Sequence, residues 1–209
     1  CSSDLAGVKS DYDRVLKQRN ALLKSAGPAR KNNLDSVLAT IDVWNDQLVN
    51  FGSQIIFARN QIINELLPYV SKSYAELAPA SKALNIKYLP NVATESMSQP
   101  DLVVALKEKL KERQQDELDR GLTLVGPHRD DMEITIGELP AKGYASHGES
   151  WSVALALKLA SFDLLKATSP AGDPVLILDD VFAELDAARR NQLILRVKNV
   201  EQVLITAAV

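Results

Sequence analysis

A four-residue apolar run, Val175-Leu176-Ile177-Leu178, stands between Gly172-Asp173-Pro174 and two adjacent carboxylates, Asp179-Asp180. A run this short, unbroken by polar residues and bounded by turn formers, is the pattern of a strand buried on both faces of a parallel sheet. It sets the fold class as α/β and makes the end of the strand a fixed platform. Carboxylates there lie at the carboxyl edge of the sheet, where open α/β folds place their ligands. An adjacent Asp pair suits a nucleotide-bound magnesium ion, with one carboxylate holding the ion's water shell and the other orienting an attacking water. Asp179 is assigned to the metal and Asp180 to the water. Asp is also common at turns, and the pair on its own reads equally well as a strand end that caps the next helix.

The balance shifts upstream. Ser146-His147-Gly148-Glu149-Ser150 opens a stretch, Trp151 to Ala160, that is apolar almost all round and is expected to be a buried helix. Unpaired N–H groups at its amino end, the positive end of the helix dipole and a serine hydroxyl make a phosphate-sized anion site. Gly148 permits close approach of a ligand to the backbone. Ser146-x-x-Glu149 is at the same time a capping box. That accounts for Ser146 and Glu149 but asks neither for Gly148 nor for the strand and Asp pair that follow.

Taken in order, these segments resemble the ATP-binding-cassette superfamily. Ala145 to Glu149 is similar to its signature turn, with His147 and Glu149 as departures; Leu178-Asp179-Asp180 resembles the end of Walker B, and Ala183-Glu184-Leu185-Asp186 the D-loop. Within the superfamily, Gly126-Pro127-His128-Arg129-Asp130-Asp131, the segment Ser146 to Ala160, and Asp179 to Asp186 with Arg189-Arg190 resemble the RecF-like family, relatives of the SMC proteins. The wording around Ala141 to Tyr144 and Ser146 to Trp151 is similar to actinobacterial members.

The resemblance implies the carboxyl-side half of an ABC-type ATPase core, a P-loop NTPase fold, with a helical, coiled-coil-like second lobe. It implies ATP and Mg2+ as cofactors, with Ser146, Gly148, Glu149 and Asp186 contacting nucleotide, Asp179 the metal and Asp180 the catalytic water. The signature turn would contact the γ-phosphate bound to the opposite subunit, making ATP the glue of a homodimer. An Asp at position 180, where most of the superfamily has Glu, and Ala207-Ala208 where a switch histidine is common, imply slow turnover. The implied function is an ATP-dependent DNA clamp in replication, recombinational gap repair and the SOS response. Its partners would be single-stranded and gapped or linear duplex DNA, RecR and RecO, and indirectly RecA; the DNA-contacting residues are not picked out.

A P-loop, G-x-x-x-x-G-K-[ST], is absent from the sequence. Gly121 to Gly126 has the glycine spacing but continues with Pro127, and Gly143 to Gly148 continues with Glu149, whose charge would repel phosphate. In RecF-like proteins the P-loop lies in an amino-terminal segment that also supplies sheet strands. The chain, from Cys1 to a last strand at Val203 to Thr206, is therefore expected to be a carboxyl-side portion, inactive alone as an ATPase.

The first part reads as helices. Leu34, Ile41, Leu48, Ile55 and Ile62 recur every seven residues, with Val37, Trp44, Phe51 and Ala58 in the complementary seam. Gly27-Pro28 is expected to separate this helix from an earlier one, and Gly52 and Pro68 to bend it. The expected division is a helical lobe over residues 1–119 and an ATPase lobe over 120–209. Leu122 to Val125 and Met132 to Ile136, flanking Gly126-Pro127, read as a hairpin.

With 24 Lys and Arg against 27 Asp and Glu, a net charge of −3, the chain has no overall basic field for nucleic acid. Residues 1–33 carry seven Lys and Arg against three Asp, either a solvated helix surface or a phosphate-backbone contact. A single cysteine excludes an internal disulfide and fits a reducing cytoplasm; no membrane-length apolar run occurs. Two alternatives remain at this level. One is a metal-dependent nuclease or phosphohydrolase joining His128, Arg129, Asp130 and Asp131 to Asp179 and Asp180, with Arg129 otherwise in a salt bridge or phosphate contact. The other is a non-enzymatic helical interaction module.

Overall fold

A computed structural model describes residues 2–29, 34–170, 172–182 and 185–206, with residues 2–4, 27–29, 34, 35 and 37 described by backbone alone. Two long helices come first, α1 (Ser2–Ala29) and α2 (Leu34–Leu77). The expected break at Gly27-Pro28 falls inside the last turn of α1, which continues to Ala29; a helix end moves by a residue or two at little cost. α2 runs unbroken through Gly52 and Pro68, although the proline forfeits one i→i−4 hydrogen bond. Its seven-residue seam is buried at Ile41, Leu48 and Ile55, then leaves the core, with Ile62 45% exposed; burial resumes at Val70, Tyr74 and Leu77. An α-helix drifts by ~20° per heptad from a strict seven-residue repeat, so one stripe does not stay inward over 44 residues.

The chain forms two compact units that interleave in sequence: residues 1–61 with 88–131, and 62–87 with 132–209. The boundary thus crosses α2 and two strands, whereas the sequence reading places one cut between 119 and 120.

In the first unit, α3 (Gln99–Arg120) starts at Ser98, whose hydroxyl accepts from the Asp101 N–H, and ends at Gly121. It buries Leu102, Leu106, Leu110 and Leu118 at helical spacing. Leu118 packs with Leu23, Ala26 and Ile41. No strand forms over Leu122 to Val125, contrary to the expected hairpin. Side chains take the backbone groups a partner strand would have paired: Asn20 Oδ1 accepts from the Thr123 N–H at 2.7 Å and Glu117 Oε1 from the Leu124 N–H at 2.7 Å. His128 and Arg129 donate to the Thr123 carbonyl.

The second unit holds two small sheets. One has the order β1 (Leu84–Leu89), β2 (Asp131–Ile136), β3 (Leu139–Pro140). β1 lies within the stretch read from sequence as helical, yet its residues alternate in burial, the period of a strand. The hairpin here is β2–β3, antiparallel, with Ile136 opposite Leu139. A single turn, α4 (Ala141–Tyr144), leads into α5 (His147–Thr168), β4 (Leu176–Leu178), α6 (Ala187–Val197) and β5 (Val203–Ile205). β4 and β5 pair in parallel, as the apolar run predicts. Val153, Ala156, Leu159 and Ala160 of α5 share a core with Leu176 and Leu178 of β4, Leu193 and Val197 of α6, and Val70, Tyr74 and Leu77 of α2.

The expectation of burial on both faces of β4 is corrected. Leu176 and Leu178 face the core, while Ile177 is 53% exposed, and Leu204 on β5 is 59% exposed. Side chains alternate along a strand, and in this chain only one face of the β4–β5 pair is covered. α5, expected to be buried all round, likewise leaves Trp151 and Leu165 exposed. Among the described residues no helix is long and apolar enough to cross a membrane.

Candidate functional site

The second unit brings the candidate residues to three element ends: the start of α5, the end of β4 and the start of α6. At α5, Ser146 is the N-cap and the capping box is complete. Its hydroxyl accepts from the Glu149 N–H at 3.3 Å and donates to Glu149 Oε2 at 2.7 Å, and the same oxygen accepts from the Ser146 N–H at 2.9 Å. These bonds to Ser146, backbone first, hold the Glu149 carboxyl below its ordinary value of 4.5, and the Arg189 charge adds to them. Glu149 is therefore a carboxylate at neutral pH, occupied in fixing the turn. His147, the departure from the signature pattern, accepts at Nε2 from the Trp151 indole N–H at 3.0 Å.

At the end of β4, Asp179 accepts a hydrogen bond from the Thr206 hydroxyl, and the same oxygen of Thr206 accepts from the Asp180 N–H at 3.0 Å. One side chain just past β5 thus holds both members of the acidic pair. Asp180 is also the one non-glycine residue with positive φ, +48°, among the described residues. Asp tolerates the left-handed region better than most side chains, and strained backbone of this kind gathers at functional sites. The β-branched side chain in Asp180→Val is expected to cost about 2 kcal/mol in urea unfolding, and Asp180→Asn less than about 0.5 kcal/mol. Equal losses would mean that the left-handed backbone carries no strain. Beside Asp179 lies a cavity of about 240 Å3 lined by Trp151, Leu155, Lys158, Ile177 and Val181 among others.

Asp186 caps α6: Oδ1 accepts from the Arg189 N–H at 2.8 Å and Oδ2 from Arg189 Nη1 at 3.0 Å. Ala183 and Glu184 of the D-loop-like segment, and Ala207-Ala208 at the switch position, lie outside the described residues, as do Cys1, Arg30 and Lys31. Sequence reasoning missed the roles of Thr206 and of Arg189. No local signal marks Thr206, which acts on residues 26 and 27 positions away; Arg189 follows Asp186 at the spacing of an N-cap contact.

The first unit removes the proposed metal cluster. His128 Nε2 lies 3.1 Å from the Thr123 carbonyl, which only accepts, so this nitrogen carries the proton. Nδ1 then accepts from the Tyr12 hydroxyl at 2.7 Å, and burial holds the imidazole below its usual range. Asp130 accepts from the Tyr88 hydroxyl and from the Asn91 N–H at 2.7 Å. Arg129 donates to the Thr123 carbonyl through both Nε and Nη2. Among the described residues no three His, Cys, Asp or Glu side chains gather where they could hold a metal ion. The basic run of the first helix is also smaller than it reads: Arg19 is buried against Glu117, and Lys9 and Arg14 pair with Asp13 and Asp11.

No family model matches the sequence. The chain is 50% identical over 209 residues to the DNA replication and repair protein RecF of Streptomyces avermitilis, covering 100% of this chain and 56% of that protein. To the protein of the same name from Beutenbergia cavernae it is 47% identical over 230 aligned residues, covering 100% of this chain and 58% of that one. Among solved structures, that of the recombination mediator protein RecF with ATP in the RecFOR pathway superposes with a TM-score of 0.84 at 26% identity, over 99% of this chain and 54% of that one. The chain therefore spans little more than half the length of the relatives it matches. The fold is that of part of an ABC-type ATPase core, and it carries a capped turn opening α5, an acidic pair ending a parallel strand and a capped α6. Within that class the chain is similar over its whole length to proteins named RecF.

Proposed function

We propose that this chain supplies the signature and Walker B side of an ATP-dependent DNA clamp acting in DNA replication, recombinational gap repair and the SOS response in the cytoplasm. Residues 120–209 serve the nucleotide and residues 1–119 form the helical lobe. The observation that carries the reading is the pairing, on one compact unit of a RecF-like fold, of the capped turn at Ser146 to Glu149 with an acidic pair held by Thr206.

Each residue has a task in this reading. Ser146 turns its proton from Glu149 to a γ-phosphate oxygen of nucleotide held by the opposite protomer, and the N–H groups around Gly148 join it. Glu149 keeps the turn in place through its bond to the Ser146 N–H. Asp186, held by Arg189 at the start of α6, contacts the nucleotide as well. Magnesium in nucleotide sites is held by one or two carboxylates together with phosphates and water, so a lone Asp179 oxygen, the other being engaged by Thr206, fits it. The ion would neutralise charge on the transferring phosphoryl group. Asp180 polarises the attacking water, and its short side chain suits slow hydrolysis and a switch. The uncovered face of β4–β5 and the cavity beside Asp179 are the places against which a P-loop segment would pack. DNA, single-stranded and gapped or linear duplex, and RecR, RecO and indirectly RecA are the proposed partners; the superposed RecF is described as a mediator in the RecFOR pathway.

The test is ATP-dependent dimerisation of the complete chain, P-loop segment included, followed by analytical ultracentrifugation. Ser146→Arg is expected to weaken dimerisation by about 100-fold, about 3 kcal/mol, against the ~1 kcal/mol that losing an N-cap costs a helix. Unchanged dimerisation would remove Ser146 from the interface and the clamp reading with it.

A further inference from the structure

The Arg189 side chain bridges two of the element ends described above. Asp186 accepts from its backbone N–H with one oxygen and from Nη1 with the other. Held this way, the side chain is only 23% exposed. The same Nη1 stands 2.9 Å from the place a Cβ would take on Gly148. Gly148 lies in the first turn of α5, where its helical backbone would accept any residue. A side chain at 148 would therefore displace the guanidinium of Arg189 from its place on Asp186. The charge of Arg189 also reaches Glu149, the partner of Ser146 in the capping box.

Resting on the clamp reading above, we propose that Arg189 is a positioning residue for ATP-driven dimerisation, locking the turn at Ser146 to Glu149 onto Asp186 so that the two segments meet the opposite protomer as one surface. Arg189 itself contacts neither ATP nor water in this scheme. Its planar fork presents one nitrogen to Asp186 and packs over Gly148, a geometry a lysine does not reproduce. The absence of a Cβ at 148 lets the two segments approach within van der Waals distance.

The experiment compares four forms of the complete chain, P-loop segment included: wild type, Arg189→Ala, Gly148→Ala and the double variant. Two quantities are read, the affinity of the monomer for a fluorescent ATP analogue and the ATP-dependent dimerisation constant. Arg189→Ala is expected to weaken dimerisation about tenfold while leaving the nucleotide affinity of the monomer as in wild type. Gly148→Ala is expected to weaken dimerisation by a similar factor, because the methyl group pushes the guanidinium off Asp186. The double variant is expected to be no weaker than either single one, since both break the same contact. Hydrogen exchange over the first turn of α5 should rise in Arg189→Ala by the same mechanism. A wild type that dimerises with ATP, and an Arg189→Ala form that does so equally well, would overturn the proposal and leave the clamp reading standing. Single losses that multiply in the double variant would also overturn it. A wild type that binds ATP as a monomer and does not dimerise would overturn the clamp reading itself, and the proposal with it.

Discussion

Glu117→Ala is expected to lower the unfolding free energy of the full chain by about 3–5 kcal/mol, the range for removing one partner of a buried ion pair. Glu117 and Arg19 are 0% and 1% exposed, and their charges meet at 2.5 Å. Each does more than pair with the other. Arg19 also donates to Thr123 Oγ1 and to Asn45 Oδ1, both at 2.8 Å, so α1, α2 and the segment after α3 meet on one guanidinium. The second oxygen of Glu117 takes the Leu124 N–H. Removing the carboxylate leaves a buried cation and an orphaned backbone donor, and the penalty comes from those uncompensated groups rather than from lost attraction. Replacing both residues by apolar ones of similar volume, Arg19→Met with Glu117→Leu, should therefore recover the part due to the buried cation, while the cost of the unpaired Leu124 N–H stays. Equilibrium urea denaturation checks both; a single-variant loss under about 1 kcal/mol would place the pair in an environment as wet as a surface salt bridge.

Gly126→Ala is expected to cost about 3 kcal/mol or more, the second large effect. A Cβ at this position would stand 2.5 Å from the Tyr12 hydroxyl, and φ is +123°, a region L side chains rarely adopt. The hydroxyl cannot swing away freely, because it donates to His128 Nδ1 from a buried ring. Burial, and secondarily the charge of Asp130, pushes the Tyr12 pKa far up, so the hydroxyl keeps its proton for that bond at every working pH. Adding Tyr12→Phe to Gly126→Ala removes the colliding oxygen and leaves contacts of 3.5 and 3.6 Å to His128 and the Tyr12 ring. Relative to Tyr12→Phe alone, which carries the loss of the bond to His128 Nδ1, the double variant should be free of the steric part, while the backbone cost of about 1–3 kcal/mol stays. Calorimetry on wild type, the two single variants and the double variant separates the terms; a Gly126→Ala loss as large in the Tyr12→Phe background as in wild type would mean that the clash with Tyr12 is not the cause.

These two sites sit in segments whose sequence signals pointed elsewhere. Arg19 reads as one of seven cations on a basic helix, and Gly126-Pro127 as the turn of a hairpin. Their partners lie about a hundred positions away, at Glu117, Thr123 and Tyr12, and no periodicity or local spacing encodes such a pairing. Once side chains of α1 and α3 satisfied the backbone of 122–125, a strand there had nothing left to pair with, and the hairpin formed one segment later at β2–β3.

The local features were legible because short-range physics suffices for them. The Ser146–Glu149 capping box closes within one helical turn, the long helices follow from repeats of apolar residues, and the run ending in Asp179-Asp180 is a strand by its length and flanks. Sequence alone determined those elements, their order and the resemblance carried by their motifs. Only the tertiary structure decided which faces are covered, since burial depends on what stands opposite: Ile177 and Ile62 are exposed despite apolar runs and repeats, and Arg19 is buried despite its charge. It also decided how the candidate site is held. Thr206 reaches Asp179 and Asp180, and Arg189 reaches Gly148, across distances in sequence that only a folded chain can close.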